Sequence, residues 1–363
     1  MLKNTHIWLP EYIKQQMRRS SKQAGPVHIM FSIVDHFEPK WGKPPSFIAN
    51  KRVDTWIEKY PEIALRHKDA DSMHPRHTIF YPQEEYGEGI LQRVSDCCKQ
   101  GFGEVEIHLH HDNDTAEGLK RNIEDFKEKL LGHGLLCQDK EGNTRFGFIH
   151  GNWALDNSRH DGKWCGVNNE IGILRDTGCY ADFTLPSAPS DTQTSKINSI
   201  YYAMDTPEPK SHNKGIDVKV GNEPFGDLMI IQGPLALNWK RIKIENGSIS
   251  LNNPPTEDRI DLWIDQGIGV RGQGGWIFVK VYTHGLQDDN LKDEHFKSLD
   301  SMFTYLEERY NDGIKYKLHY VTAREMYNIV KAAEAGEKGE PGKYRDYVLV
   351  TNIKREIASL RSQ

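Results

Sequence analysis

The chain is missing several signatures that would assign a protein to a class at once. No run of residues approaches the roughly 18 apolar positions of a membrane span. The opening Met1-Leu2-Lys3-Asn4-Thr5-His6-Ile7-Trp8-Leu9-Pro10 has no apolar core of the secretory kind. Cysteine is scarce: Cys97, Cys98, Cys137, Cys165 and Cys179 are the five in 363 residues, odd in number and without a C-x-x-C pair. Neither a disulfide framework nor a zinc knuckle is written there, and free thiols are expected. There is no surplus of positive charge, with 47 Lys and Arg against 52 Asp and Glu and a net charge of −5. This excludes the broad basic footprint of a nucleic-acid binder. No period of 20 to 50 residues marks an array. The resulting expectations are a cytoplasmic location, no membrane span and no nucleic-acid partner.

What is present is a globular composition, 37% hydrophobic and 27% charged. Val27 to Val34 is apolar and β-branched and stops at Asp35-His36, as a buried strand ending in a functional loop does. Val53, Trp56, Ile57 and Tyr60 recur at helical spacing up to Pro61, and Thr78 to Tyr81 reads as a second strand. Ile90, Leu91, Val94 and Cys98 precede Gly101 as a helix and its stop. Glu104 to His110 alternates polar with apolar, a third strand, and Leu119, Ile123, Phe126 and Leu130 form a helix opened by Asp114 and Thr115. Further strands are expected over 145–149, 179–184, 227–231, 276–283 and 316–321. Helices are expected over 170–176, 296–310 and 323–335, the last opened by the capping box Thr322-x-x-Glu325.

Alternation of this kind points to an α/β fold, a (β/α) barrel of seven or eight strands that tolerates distortion. Residues 1–26 read as an N-terminal extension and 27–330 as the barrel. The Gly-, Pro- and Asn-rich stretch 187–275 reads as a β-rich insertion with a hairpin around Glu245-Asn246-Gly247-Ser248. Residues 331–363 read as a C-terminal loop and helix.

The chemistry gathers at strand ends. Parity turns Val105, Ile107 and Leu109 toward outer helices and Glu106, His108 and His110 inward. A buried carboxylate beside two imidazoles is costly unless a metal or a partner engages them. His111, Asp112 and Asp114 add ligands nearby, Asp114 also standing where a helix cap belongs, and zinc is the first choice of ion. Asp35-His36, His284, His150-Gly151-Asn152-Trp153 and Asp182 close four other strands at the same end, where barrel active sites are built. Trp153 suits stacking on a sugar ring, as do Trp41 and Trp164 in loops.

In order and spacing these motifs resemble the polysaccharide deacetylase superfamily, the NodB-like carbohydrate esterases, over roughly residues 27 to 330. Ile33-Val34-Asp35-His36 resembles T-F-D-D, which implies a catalytic base at Asp35 and a metal ligand at His36, where the family carries Asp. Glu106 to Asp114 resembles the metal motif H-S/T-x-x-H, with His110 on its first His and Asp114 in place of the second; His108 is an alternative ligand. His150 to Trp153 falls at R-x-P-Y without its Arg, and Gly178 to Asp182 resembles the fourth motif, so His150, Asn152, Trp153 and Asp182 are implied to face substrate. Val279 to His284 resembles L-x-L-H, which implies a general acid at His284.

The reading is a metal-dependent hydrolase that removes an acetyl or similar acyl group from a sugar or glycan precursor. In it the ion activates water, Asp35 takes a proton and His284 protonates the leaving group. Two rivals stand beside it: a phosphoester- or glycoside-cleaving metallohydrolase on a similar barrel, and a carbohydrate-binding relative without catalysis.

Overall fold

The computed structural model describes residues 3–18 and 26–353. Its strands are β1 Val27–His36, β2 His77–Pro82, β3 Gly103–Leu109, β4 Cys137–Asp139, β5 Thr144–His150, β6 Cys179–Asp182, β7 Ile200–Ala203, β8 Ile216–Asp217, β9 Leu228–Ile231, β10 Ala236–Asn238, β11 Lys243–Glu245, β12 Ser248–Ile249, β13 Trp276–Thr283, β14 Tyr316–Tyr320 and β15 Leu349–Thr351. The helices are α1 Leu9–Arg18, α2 Ser46–Ala64, α3 Glu88–Lys99, α4 Ala116–Gly132, α5 Glu170–Asp176, α6 Glu257–Asp265, α7 Asp293–Tyr310 and α8 Ala323–Glu334. Each strand expected from sequence is present, with its bounds moved by a residue or two.

The architecture is mixed α/β with a mostly parallel sheet, ordered β12-β13-β1-β2-β3-β5-β6-β9-β7-β8. β1 pairs with β13 from His28 opposite Trp276 to Asp35 opposite Thr283. It also pairs with β14 through Phe31 and with β2 from Ile33 onward. From β13 to β9 every ladder is parallel; β7 and β8 then extend the edge in antiparallel fashion. Among the described residues no ladder joins β9 to β13. The chain beyond β6 nevertheless reaches β13 through Lys280, whose ammonium donates to the carbonyl of Leu185 at 2.6 Å.

Strand parity sorts the core into two. Ile29, Phe31 and Ile33 of β1 and Val105, Ile107 and Leu109 of β3 pack with Trp56, Leu91, Phe126 and Phe303 from the helices. Met30, Val34, Phe80, Ile149 and Phe278 lie on the other parity and pack with Met326, Ile329 and Val330 of α8. Each such side chain, fully buried, contributes about 1.5–3 kcal/mol, so a one-residue slip would exchange the two faces at great cost.

Several expectations are corrected. α2 runs through Pro61 to Ala64, because a proline in the last turn forfeits only one hydrogen bond there. β6 stops at Asp182, not Thr184: the Asp182 carboxylate takes the Thr184 N–H at 3.0 Å, and Pro186 has no N–H to continue a ladder. The hairpin forms one turn earlier than read, with β10 paired to β11. Asn246-Gly247 is instead a bend in which Gly247 takes φ 75° and Asn246 donates to the Ala188 carbonyl and the Tyr282 hydroxyl. Within 187–275, β9 joins the parallel sheet and β7 and β8 extend it. The expected terminal helix lies outside the described residues; before it, β15 pairs with β4. All five cysteines are unpaired and buried. No described helix is long and apolar enough to cross a membrane.

Candidate metal centre

The parity that buries Met30 and Val34 also carries His36, and two residues further on, just past the strand, Glu38. They are 4% and 6% exposed. β3 brings His108 and His110 to the same place, because His108 occupies an inward position and His110 follows where the strand ends. The Nε2 atoms of His108 and His110 lie 3.3 and 3.4 Å from one Glu38 oxygen. His36 stacks on His284 with centroids 4.6 Å apart and meets His108 edge-on at 4.8 Å. Four imidazoles thus surround one buried carboxylate. The potential ligand atoms form two triads that share it, Glu38-His108-His110 and His36-Glu38-His284.

The tautomers favour the first triad. The Ile149 carbonyl stands 2.8 Å from His108 Nδ1, and a Glu84 oxygen 2.5 Å from His110 Nδ1. Both Nδ1 atoms are therefore donors, and each Nε2 turns a lone pair toward Glu38. Three acceptors converging in a buried space require a positive charge among them. In the protein alone this is a proton on His110: burial works against it, but Glu38 and Glu84 raise the His110 pKa to about 10. Burial likewise opposes the Glu38 charge, but hydrogen bonds with His108 and His110 outweigh it and hold the carboxyl below its ordinary range. A divalent ion satisfies the same three atoms, with Ile149 and Glu84 as the outer groups that orient ligating imidazoles. The residues fit a metal.

Asp35 lies on the other parity of β1 and is fully buried. One of its oxygens accepts the Gly285 N–H at 2.7 Å and the other is 3.2 Å from His77 Nδ1. It therefore holds the turn that carries His284 and is not among the groups gathered at Glu38. Asp114 is also elsewhere: it accepts from the Thr115 N–H at the start of α4 and lies 3.1 Å from His111 Nδ1. His150 belongs with His111, its Nε2 2.8 Å away, rather than on an open rim. Asp182 is buried, bonded to the Thr184 hydroxyl at 2.7 Å, and burial raises its pKa.

Trp153 does reach the site, with ring centroids 6.1 Å from His36 and 6.2 Å from His284, while its buried indole N–H has no partner among the described residues. Asn152 and Trp153 both take φ 56°, an uncommon conformation for a bulky side chain and one that concentrates at functional sites. Trp164 stacks under Arg159 at 4.2 Å and Trp41 is exposed. His284 is partly exposed beside Trp153.

Sequence reading missed Glu38, Glu84 and Glu170. A period-2 signal continued past the strand would have found Glu38, two residues after His36. Nothing local announces Glu84, which approaches from the turn after β2.

No family model matches this chain, and no curated protein does. Among solved structures it is similar to the crystal structure of a "putative polysaccharide deacetylase" from Mycobacterium smegmatis, with a TM-score of 0.45 and 11% identity, over 89% of this chain and 96% of that one.

Proposed function

We propose that this protein is a metal-dependent hydrolase that removes an acetyl or similar acyl group from a sugar or glycan precursor, on parallel strands arranged as a barrel. The observation that carries the reading is the convergence of the His108 and His110 Nε2 atoms on one Glu38 oxygen with both Nδ1 atoms already engaged. Glu38, His108 and His110 would hold the ion, with zinc the first candidate for a set of two imidazoles and a carboxylate. A divalent ion there would supply a Lewis acid for the acyl carbonyl and would lower the pKa of a bound water toward neutrality, making it a nucleophile.

The protein's own groups do the rest. His284, partly open beside Trp153, accepts a proton as water adds to the acyl carbon and delivers it to the sugar nitrogen or oxygen as that bond breaks. Asp35, through the Gly285 N–H, keeps His284 aimed, so that His284 and not Asp35 is the base. His36 stacks on His284 and meets His108 edge-on. Trp153 offers a ring face for the sugar, and its indole N–H a donor. The sugar itself is implied by the motif resemblance together with this indole.

The test combines metal content and turnover. In the full chain, His108→Ala and His110→Ala, made separately, should each lower zinc content measured by elemental analysis. An acetylated sugar panel should release acetate in the wild type only. Full metal retention in both variants would remove the centre, and phosphate release without acetate would favour the phosphoesterase reading. Burial lowers the His284 pKa against the raising effect of Glu38 and Asp35. Since its neutral form must act first, kcat/KM should stay flat through neutral pH and fall only below 6.5. His284→Ala should abolish that acid limb and cost on the order of 10² to 10⁴ in rate on amides, but less on activated aryl esters, which leave without a proton.

A further inference from the structure

Outside the strands that frame Glu38, a second cluster is built from residues the proposed reaction does not use. His111 follows β3, His150 ends β5 on its helix-facing parity, Cys165 lies in the loop after β5, and Glu170 is the first residue of α5. His150, Cys165 and Glu170 are fully buried. His111 Nε2 is 2.8 Å from His150 Nε2 and 3.2 Å from one Glu170 oxygen. The other Glu170 oxygen is 3.6 Å from His150 Nε2 and 3.5 Å from the Cys165 sulfur.

Both imidazoles have their Nδ1 atoms engaged, His111 by Asp114 and His150 by the Gly151 carbonyl. Each therefore turns its Nε2 toward the other and toward a Glu170 oxygen, with His150, Cys165 and Glu170 fully buried and His111 partly exposed. That arrangement needs a positive charge among these atoms: a proton between the two imidazoles in the protein alone, or a divalent ion that takes all of them as ligands. One ligand atom from each of the four residues lies within 4.8 Å of the others, a spacing that small side-chain shifts bring to the edges of about 3.3 to 3.6 Å of a tetrahedron with N and O ligands at about 2.0–2.1 Å and sulfur at about 2.3 Å.

We propose that His111, His150, Cys165 and Glu170 form a second, structural metal site that takes a divalent zinc ion. It stands independently of the centre at Glu38. Four protein ligands leave no open position, which marks a structural rather than a catalytic ion. Its place in the fold says what it secures. The segment between β5 and α5 holds Asn152, Trp153, Asp156, Asn157 and Trp164 at positive φ, and such a run persists only when its surroundings over-determine it. An ion joining the ends of β3 and β5 to the loop and to the first turn of α5 provides that constraint, and so fixes Trp153 at the mouth of the first site.

The experiment uses the full chain, purified without chelator and then loaded with zinc or cobalt alone. Two equivalents of zinc should survive dialysis. The cobalt form should show a thiolate-to-metal charge-transfer band, and zinc X-ray absorption should show one sulfur scatterer. His108→Ala should lose one equivalent and keep the band. Cys165→Ser and Glu170→Gln should each lose the other equivalent, Cys165→Ser also losing the band. Should Cys165→Ser fail to fold, the wild type and His108→Ala still decide. A folded wild type that takes up metal without a thiolate band or sulfur scatterer, or takes up no metal at all, overturns the second site whatever happens at Glu38.

Discussion

At the scale of single residues, the centre depends on small permissions as much as on ligands. Gly285 follows His284, and a Cβ built on it would stand 2.3 Å from an Asp35 oxygen. The Asp35 carboxylate fills the space a side chain would need and binds the Gly285 N–H. Gly285→Ala should therefore push the His284 turn off β1, lowering turnover at least tenfold while zinc content stays near that of the wild type, since Glu38, His108 and His110 are not on that turn. Loss of zinc together with activity would instead place His284 among the ligands. Asp35 and His284 were both legible as strand-end polar residues, but which way each side chain turns was legible only where parity could be counted. On β3 the alternation is strict and singles out His108 and His110. On β1 the apolar run is continuous, so His36 and Asp35 looked equivalent until the sheet was buried on both faces.

Whole elements are tied by buried charge. Arg324 of α8 donates to both Glu104 oxygens of β3, at 2.7 and 3.0 Å, and to Asp346 at 2.7 Å. The Thr322 hydroxyl adds a bond to Glu104 at 2.8 Å. Glu104→Ala leaves the buried guanidinium with Asp346 at 2.7 Å and the more distant Glu325 at 3.9 Å, and should destabilise the protein by about 3 kcal/mol, the low end of the cost of breaking a buried pair. A denaturant midpoint shifted at constant slope would record it; an unchanged midpoint would mean that Asp346 and Glu325 suffice. The element around His67 adds a pH dependence. Burial opposes its charge, but hydrogen bonds to Glu307 and Asp300 of α7 raise its pKa above 6.5. The folded state then binds this proton more tightly than the unfolded chain. Its contribution is complete below pH 6.5 and is lost as pH rises through the raised value. His67→Asn should flatten the stability profile in that window, measured by thermal unfolding from pH 5 to 9. Such pairs join positions more than 200 apart in sequence, and no local pattern announces them.

Over the whole molecule, a small third core stands apart from the two that flank the sheet. Trp8 and Tyr12 pack with Ala188, Ile197, Leu235, Ala236 and Leu237, and Trp8 is fully buried. Trp8→Ala removes about 3–5 kcal/mol of packing, and that loss should fall on the docking of α1. Limited proteolysis should then cut within the first 18 residues faster than in the wild type, with zinc content unchanged; a fall in metal would show that the N-terminal segment supports the centre. By itself the sequence determined the order of eight strands and of α2, α3, α4, α5, α7 and α8 among them, though not α1 or α6, and the strand ends at which polar residues collect, because periodicity and capping are local and survive in a single window of chain. Tertiary structure alone decided which of those polar residues meet. It gathered His36, Glu38, His108, His110 and His284 from three segments, turned Asp35 to hold a backbone N–H, and drew His111, His150, Cys165 and Glu170 into a separate cluster. The physical reason is that a metal site is a matter of atoms within about 4 Å, and such distances follow from ladder register and loop path, which no short stretch of sequence encodes.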